Sequence, residues 1–358
     1  MTATTPLPQS TSRSDPGGGP GQNGTRTNAV LARLFGSSTS AITIALLICI
    51  IIMSIVSDRF LTTSNIYNIV AQSAVVGIAA VGGTLIIITG GIDLSVGSAL
   101  GLSGILAGLA MQSGQSGFVG MLVAVVVAIG VGAFNGASIT WLRLAPFIVT
   151  LAVLGMARGL TLQVSQGQSV YNLPTDFTVL GGGTVAGIPI SALLTLGVFI
   201  LGHLLLTKTV FGHKVFAVGG NREAARLAGI NVSRVTFLVY VIAGVCVGLA
   251  SIVLVGRLGS ATPTGGNGVE LQVIAAIVIG GTSLFGGKGS MLGTLVGVLL
   301  IGVINNGLTL LNVSPFLVQF MQGVLIFVAV LLDAFNTRRL ARAGGRAPSA
   351  GSRRVAGA

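Results

Sequence analysis

Residues 66–88 read IYNIVAQSAVVGIAAVGGTLIII, an apolar run with no charged side chain. At about 1.5 Å of rise per residue, about 20 such residues cross a hydrocarbon layer of about 30 Å, so the stretch predicts a membrane-spanning helix. Similar runs, separated by Gly, Pro, Asn or charge, lie near 39–57, 94–111, 118–141, 146–164, 188–206, 235–255, 271–285, 291–311 and 315–332. The reading is an all-α integral membrane bundle of about ten transmembrane helices. The run 271–285 is short and meets Gly286, Gly287 and Gly289; a half-span or re-entrant segment there would leave nine.

Composition sets the same class. Of 358 residues, 52% are apolar and 7% charged, with a mean hydropathy of +0.95, where a soluble domain carries about 25% charged residues. A soluble enzyme is excluded. The membrane domain is expected over 39–335, between a Ser-, Thr-, Pro- and Gly-rich tail at 1–38 and a basic tail at 336–358, both read as disordered. The N-terminal tail lacks the layout of a secretory signal. A net charge of +12 does not make a nucleic-acid binder, because too few charges lie between the tails to line a groove. Cys49 and Cys246 both sit in apolar runs and suggest neither a disulfide framework nor a metal site.

Lys and Arg near span ends are retained in the cytoplasm. With an inside N-terminus, sixteen of the 19 basic residues fall on the cytoplasmic side: Arg13, Arg26, Arg33, Arg143, Lys208, Lys214, Arg222, Arg226, Arg234, Lys288 and six arginines of the C-terminal tail. Arg59 and Arg257 fall outside, and Arg158 lies within a span. This predicts a multi-pass plasma (inner) membrane protein with both termini cytoplasmic. Glycine, 55 residues, is about twice as frequent as usual. The pairs Gly97–Gly101, Gly132–Gly136, Gly244–Gly248 and Gly293–Gly297 have the spacing that lets membrane helices approach closely.

The polar stretch 207–234, TKTVFGHKVFAVGGNREAARLAGINVSR, is the longest on the cytoplasmic side. Asn221 can cap a short helix through Arg222, Glu223, Ala224, Ala225, Arg226, Leu227 and Ala228, and Gly229 can end it. Such a helix either docks into a groove of a cytoplasmic partner or is a solvated connector.

Glu223, Ala224, Ala225 and, after three residues, Gly229 resemble the EAA-xxx-G coupling signature of permease subunits of ABC importers. Further stretches are similar to the monosaccharide branch of that family, the ribose and xylose type: GGTLIIITGGIDLSVGS at 82–98, PFIVTLAVLGMARGL at 146–160, AVGGNREAARLAGINVSRV at 217–235, TPTGGNGVELQVIAAIVIGGTSLFGGKGS at 262–290 and INNGLTLL at 304–311. The ordered set covers about residues 64–333. Departures are the two long tails and the missing Ile-x-Leu-Pro ending of longer coupling signatures. The resemblance implies a permease that pairs with a second copy or a paralogue. It also implies coupling through residues 221–229 to two cytoplasmic ATPase domains, and delivery of solute by an extracytoplasmic sugar-binding protein.

The residues agree on one point. The nearest approach to a phosphate loop, GTSLFGGKGS at 281–290, fails the GxxxxGK[ST] spacing, so ATP and magnesium are expected on the partner chain and no cofactor on this one. Lys288 reads as a cytoplasmic anchor for the next helix, and the basic C-terminal tail as attracting anionic lipid.

Other polar residues carry paired readings. Gly90 and Gly91 break a helix, and Asp93 or Ser95 either caps the next one or lines a transport route at that break. Arg158, twelve residues past Pro146, stands about 18 Å along its helix, facing a wet pathway or a structural partner. Asn135, Gln163, Gln272, Asn305 and Asn306 are interhelical ties or pathway groups. Asp58, Arg59, Asp176, Arg257 and Glu270 are the outer charges available to a binding protein, or ordinary loop charges. The competing functions are an ion-coupled secondary transporter, which wants an intramembrane carboxylate, and a membrane enzyme. Only Asp93 and Glu270 approach the bilayer, both at helix ends, and His203 and His213 form no catalytic set.

Overall fold

A computed structural model describes residues 38–331 except 315, 325 and 329; the N-terminal tail up to residue 37, the tail at 336–358 with its six arginines, and the end of the run at 332 lie outside the described residues. In chain order the helices are α1 (Ser38–Val56), α2 (Thr63–Ile88), α3 (Val96–Gln112), α4 (Gly117–Thr140), α5 (Pro146–Ser165) and α6 (Thr175–Gly182). A hairpin of β1 (Thr184–Val185) and β2 (Ile188–Pro189) precedes α7 (Ile190–Lys208). The chain continues through α8 (Val210–Gly220), α9 (Arg222–Leu227), α10 (Val232–Leu258), α11 (Val269–Ile279) and α12 (Met291–Leu310). Residues 316–324 are again helical.

Among the described residues six helices are long and apolar enough to cross a membrane: α2, α4, α5, α7, α10 and α12. The protein is an integral membrane helical bundle. Its centre is α2, whose apolar window is 89% buried, while α4, α5 and α7 bury only 28% of theirs. α2 packs against α7, α10, α11 and α12, so the charge-free run 66–88 is the inner pillar. The outer helices turn Leu122, Val126, Ile148 and Leu201 outward, which costs nothing where lipid is the solvent.

Small residues set the closest crossing. At the crossing of α4 and α10, a Cβ on Gly244 would lie 2.7 Å from the Ala128 carbonyl oxygen, and one on Gly248 would lie 2.7 Å from Val125 Cα. The predicted pairs Gly132–Gly136 and Gly244–Gly248 therefore belong to one interface, and Gly293–Gly297 seats α12 on Ala276 and Gly280. Hydrogen bonds tie the same elements. Asn65 and Asn306 exchange amide bonds of 2.9 and 2.8 Å between α2 and α12.

The structure departs from the sequence reading at four places. The run at 271–285 is helical only over Val269–Ile279, about 16 Å of rise, which is too short to cross the hydrocarbon layer. Gly280 and Gly281 end it, with Gly281 at φ +87° and the Thr282 N–H donating back to the Ile277 carbonyl at 3.2 Å. The helix has the length of a half-span. Helix α3 begins at Val96 rather than residue 94. The loop after α5 contains α6 and the hairpin, and the start of the 207–234 stretch is α8, with Gly212, Val215 and Val218 buried.

Candidate functional site

The break between α2 and α3 is built from the glycine pair. Gly90 adopts φ +78°, and the Gly91 N–H donates back to the Ile86 carbonyl at 3.0 Å, which stops α2 and frees residues 89–95. Asp93 then accepts the Ser95 N–H at 2.8 Å and the Ser95 hydroxyl at 2.6 Å. Ser95 itself makes no capping bond, so of the two proposed caps Asp93 alone takes up backbone N–H. The fully buried Asn135 of α4 donates to Ser95 Oγ at 2.8 Å, and its Oδ1 has no partner among the described residues. A cavity of about 10 Å³ lies between Asp93, Asn135, Gly132 and Gly244, room for about one water. The Ile92 carbonyl accepts from Thr150 at 3.2 Å and from the buried Tyr240 hydroxyl at 3.4 Å. Asp93, Ser95 and Asn135 are thus one connected group; Thr150 and Tyr240 complete it. Sequence reasoning missed both, because a Thr and a Tyr in apolar helices carry no pattern of their own.

The α9 helix hangs directly on this break. Asn221 accepts the Glu223 and Ala224 N–H groups, both at 3.0 Å, and Gly229 closes the far end at φ +80°. Ala225 faces inward, while Leu227 is 80% exposed. Glu223 and Arg226 pair at 2.6 Å on the solvated face; that carboxylate raises the Arg226 pKa above the ordinary arginine value, first through the hydrogen bond. Arg222 turns the other way and donates to the Thr89 carbonyl at 3.3 Å, at the end of α2. Just before α9, Gly219 lies so close to the Ile88 carbonyl that any Cβ would collide with it. The Gly287 N–H also donates to that carbonyl, at 2.9 Å. The ends of α2 and α8 and the turn after α11 are therefore locked backbone to backbone.

A second polar cluster forms around the chain between α10 and α11. Arg158 of α5 donates to the Pro263 carbonyl at 2.9 Å and the Gly265 carbonyl at 3.3 Å. Glu270, in the first turn of α11, accepts the Gly268 N–H at 3.3 Å, and its other oxygen is buried with no partner among the described residues. The Gly97–Gly101 face of α3 receives this loop and the Glu270 carboxylate rather than another helix. Glu270, read among the outer charges, is half-buried here, with one carboxylate oxygen covered. A half-buried acid beside a packed loop has the same sequence appearance as one at an exposed helix end.

The remaining predicted residues separate. Asp58, Arg59 and Asp176 are exposed, and Arg257 is partly covered. Asn305 donates to Gln272 at 3.3 Å and accepts from Gln322 at 3.1 Å, so with Asn306 these amides tie helices together. Gln163 is exposed on α5, on the face that also carries Ala152, Gly155 and Gly159.

Comparisons with known proteins bear on this arrangement. The profile of the family described as "Branched-chain amino acid transport system / permease component" matches residues 65–330, all the elements just described except α1. The chain belongs to this permease family. It is 44% identical to the ribose import permease protein of Bacillus subtilis (strain 168) over 292 residues, 81% of this chain and 91% of that one. It is 40% identical to the D-allose transport system permease protein of Escherichia coli (strain K12) over 301 residues, 84% and 92% of the two chains. The L-arabinose ABC transporter permease protein of Azospirillum brasilense is 37% identical over 302 residues, 84% and 89%. No solved structure matches. The family is one of transporter subunits, not enzymes.

Proposed function

We propose that this chain is the translocating permease subunit of an ATP-driven importer for a simple sugar, a ribose- or xylose-like monosaccharide or a related small polar solute. The likeness to ribose, allose and arabinose permeases supports the solute class. The observation that carries the mechanism is the capped, exposed α9 helix fastened by Arg222 to the end of α2 at the Asp93 break. ATP and magnesium are bound by two cytoplasmic ATPase subunits, which hold residues 221–229. Their closure tilts α9 and, through Arg222 and Gly219, moves the broken end of α2, so the bundle alternates between outward-open and inward-open states.

In this reading the chain crosses the membrane ten times, with the short α11 completing one crossing together with the segment before it, and both termini lie in the cytoplasm. Asp93, Ser95, Asn135, Arg158 and Gln163 line or gate the route, while Gln272, Asn305 and Asn306 hold helices. A second permease copy or a paralogue packs on the Ala152, Gly155 and Gly159 face of α5, where small residues leave open space. A sugar-binding protein docks outside over Asp58, Arg59, Asp176 and Arg257. Each tenfold uphill ratio of solute costs about 1.4 kcal/mol, which nucleotide hydrolysis on the partner supplies. The test is a reconstituted complex in which Glu223→Arg or Gly229→Val is introduced. Loss of sugar-stimulated ATPase activity with the complex still assembled is expected; unchanged stimulation would remove the role of α9.

A further inference from the structure

A stable protein–protein interface covers about 800 Å² and about 20–30 residues on each partner. Helix α9 supplies six residues, about 9 Å of rise, too little to seat a subunit that must pull on this chain. The surface continuous with it is the loop at 283–288. That loop is closed on itself: the Ser283 N–H donates to the Lys288 carbonyl at 3.1 Å, the Gly286 N–H to the Ser283 carbonyl at 3.0 Å, and the Phe285 N–H to Ser283 Oγ at 3.3 Å. It is also fastened to the residues that enter α9. A Cβ on Gly287 would lie 2.8 Å from Gly220 Cα, and Asn221 follows at once.

On this frame Phe285 is 67% exposed and Leu227 is 80% exposed. Irregular backbone of this kind is not tolerated against hydrocarbon, so the loop lies outside the lipid tails, and the Phe285 ring is largely uncovered among the described residues. Lys288 in this loop and Lys214 on α8 are exposed, whereas Glu223 is already paired with Arg226. The cytoplasmic surface thus offers two exposed apolar side chains and exposed basic ones in the same part of the chain's fold, on α8, α9 and the loop fastened to them. Aromatic side chains in such positions are typical interface anchors.

We propose that the loop at 283–288 is a second anchor for the cytoplasmic ATPase subunit, with Phe285 filling an apolar pocket beside the one that takes Leu227, and acidic side chains of that subunit facing Lys214 and Lys288. The inference rests on the reading of α9 given above. It adds a mechanical consequence. One contact transmits a push, while two contacts on a rigid frame transmit a rotation. The ATPase subunit thereby turns the end of α2 and the α11–α12 junction together.

The experiment uses the assembled importer in nanodiscs, with a photoreactive phenylalanine analogue placed at position 285 or at position 227, and in parallel Phe285→Asp and Leu227→Asp. Both positions are expected to form adducts with the ATPase subunit, and both substitutions to weaken its retention at least tenfold. Adducts and release at 227 alone, with 285 silent, overturn this inference and leave α9 as the single contact. Silence at both positions overturns the two readings together. Adducts at 285 with lipid alone make Phe285 a membrane anchor and likewise overturn it.

Discussion

Asp93 carries two hydrogen bonds from Ser95 that no neighbour replaces. Bonds to a charged acceptor contribute about 1.5–3 kcal/mol each way of counting, and a buried donor left empty costs about as much. Asp93→Ala is therefore expected to lower the melting temperature of the purified protein and abolish uptake. Asp93→Asn, which keeps an accepting oxygen in place, should retain fold and assembly; equal damage by both would show that the negative charge itself is required. Gly97 makes a different demand. Its missing side chain is the space that Glu270 and the Gly266 carbonyl occupy, so Gly97→Val should destabilise by about 1–3 kcal/mol or more through overpacking. A variant that melts with the native protein would contradict the packing described for the 263–270 segment. At this scale the sequence was legible where a residue type has one strong local use: the glycine pair before Asp93, and Asn221 before a helix. It could not say how far Glu270 is covered, because hydropathy marks a charge at a helix end without telling whether that end faces water or the bundle interior. Thr150 and Tyr240 likewise show their role only through the Ile92 carbonyl that they share.

At the scale of elements, periodicity and length located the crossing helices to within a few residues, since lipid demands long uninterrupted apolar runs. The same logic failed where an element is short or turned back. The Val269–Ile279 helix looked longer because apolar residues continue into the glycine turn. The Val210–Gly220 helix was hidden by the polar residues on its outer face. The α9 helix is too short to persist alone, because nucleation is costly and six residues close few bonds. It stands on its cap and on the α8 junction. Asn221→Ala is expected to cost about 1 kcal/mol locally and to reduce sugar-stimulated ATPase turnover while leaving the membrane bundle folded, which hydrogen exchange over 221–229 would register as lost protection. Gly219→Ala acts on the junction instead. It should uncouple ATPase activity from uptake, because the added methyl group drives α8 away from the Ile88 carbonyl.

For the whole molecule, the central burial of α2 and the position of α9 describe a bundle in which three elements converge at one end. The turn after α11, the end of α8 and the end of α2 meet there backbone to backbone. That convergence was beyond sequence reasoning, since it joins residues 88, 219 and 287 through contacts of glycine backbone that leave no hydropathy signal. In the function proposed above, the source of energy lies on a partner chain. The decisive measurement is solute accumulation in sealed proteoliposomes, with this chain alone and with its ATPase and binding-protein partners. Uptake against a gradient is expected only with all components and ATP on the side of α9. Accumulation by this chain alone, without nucleotide, would contradict the account.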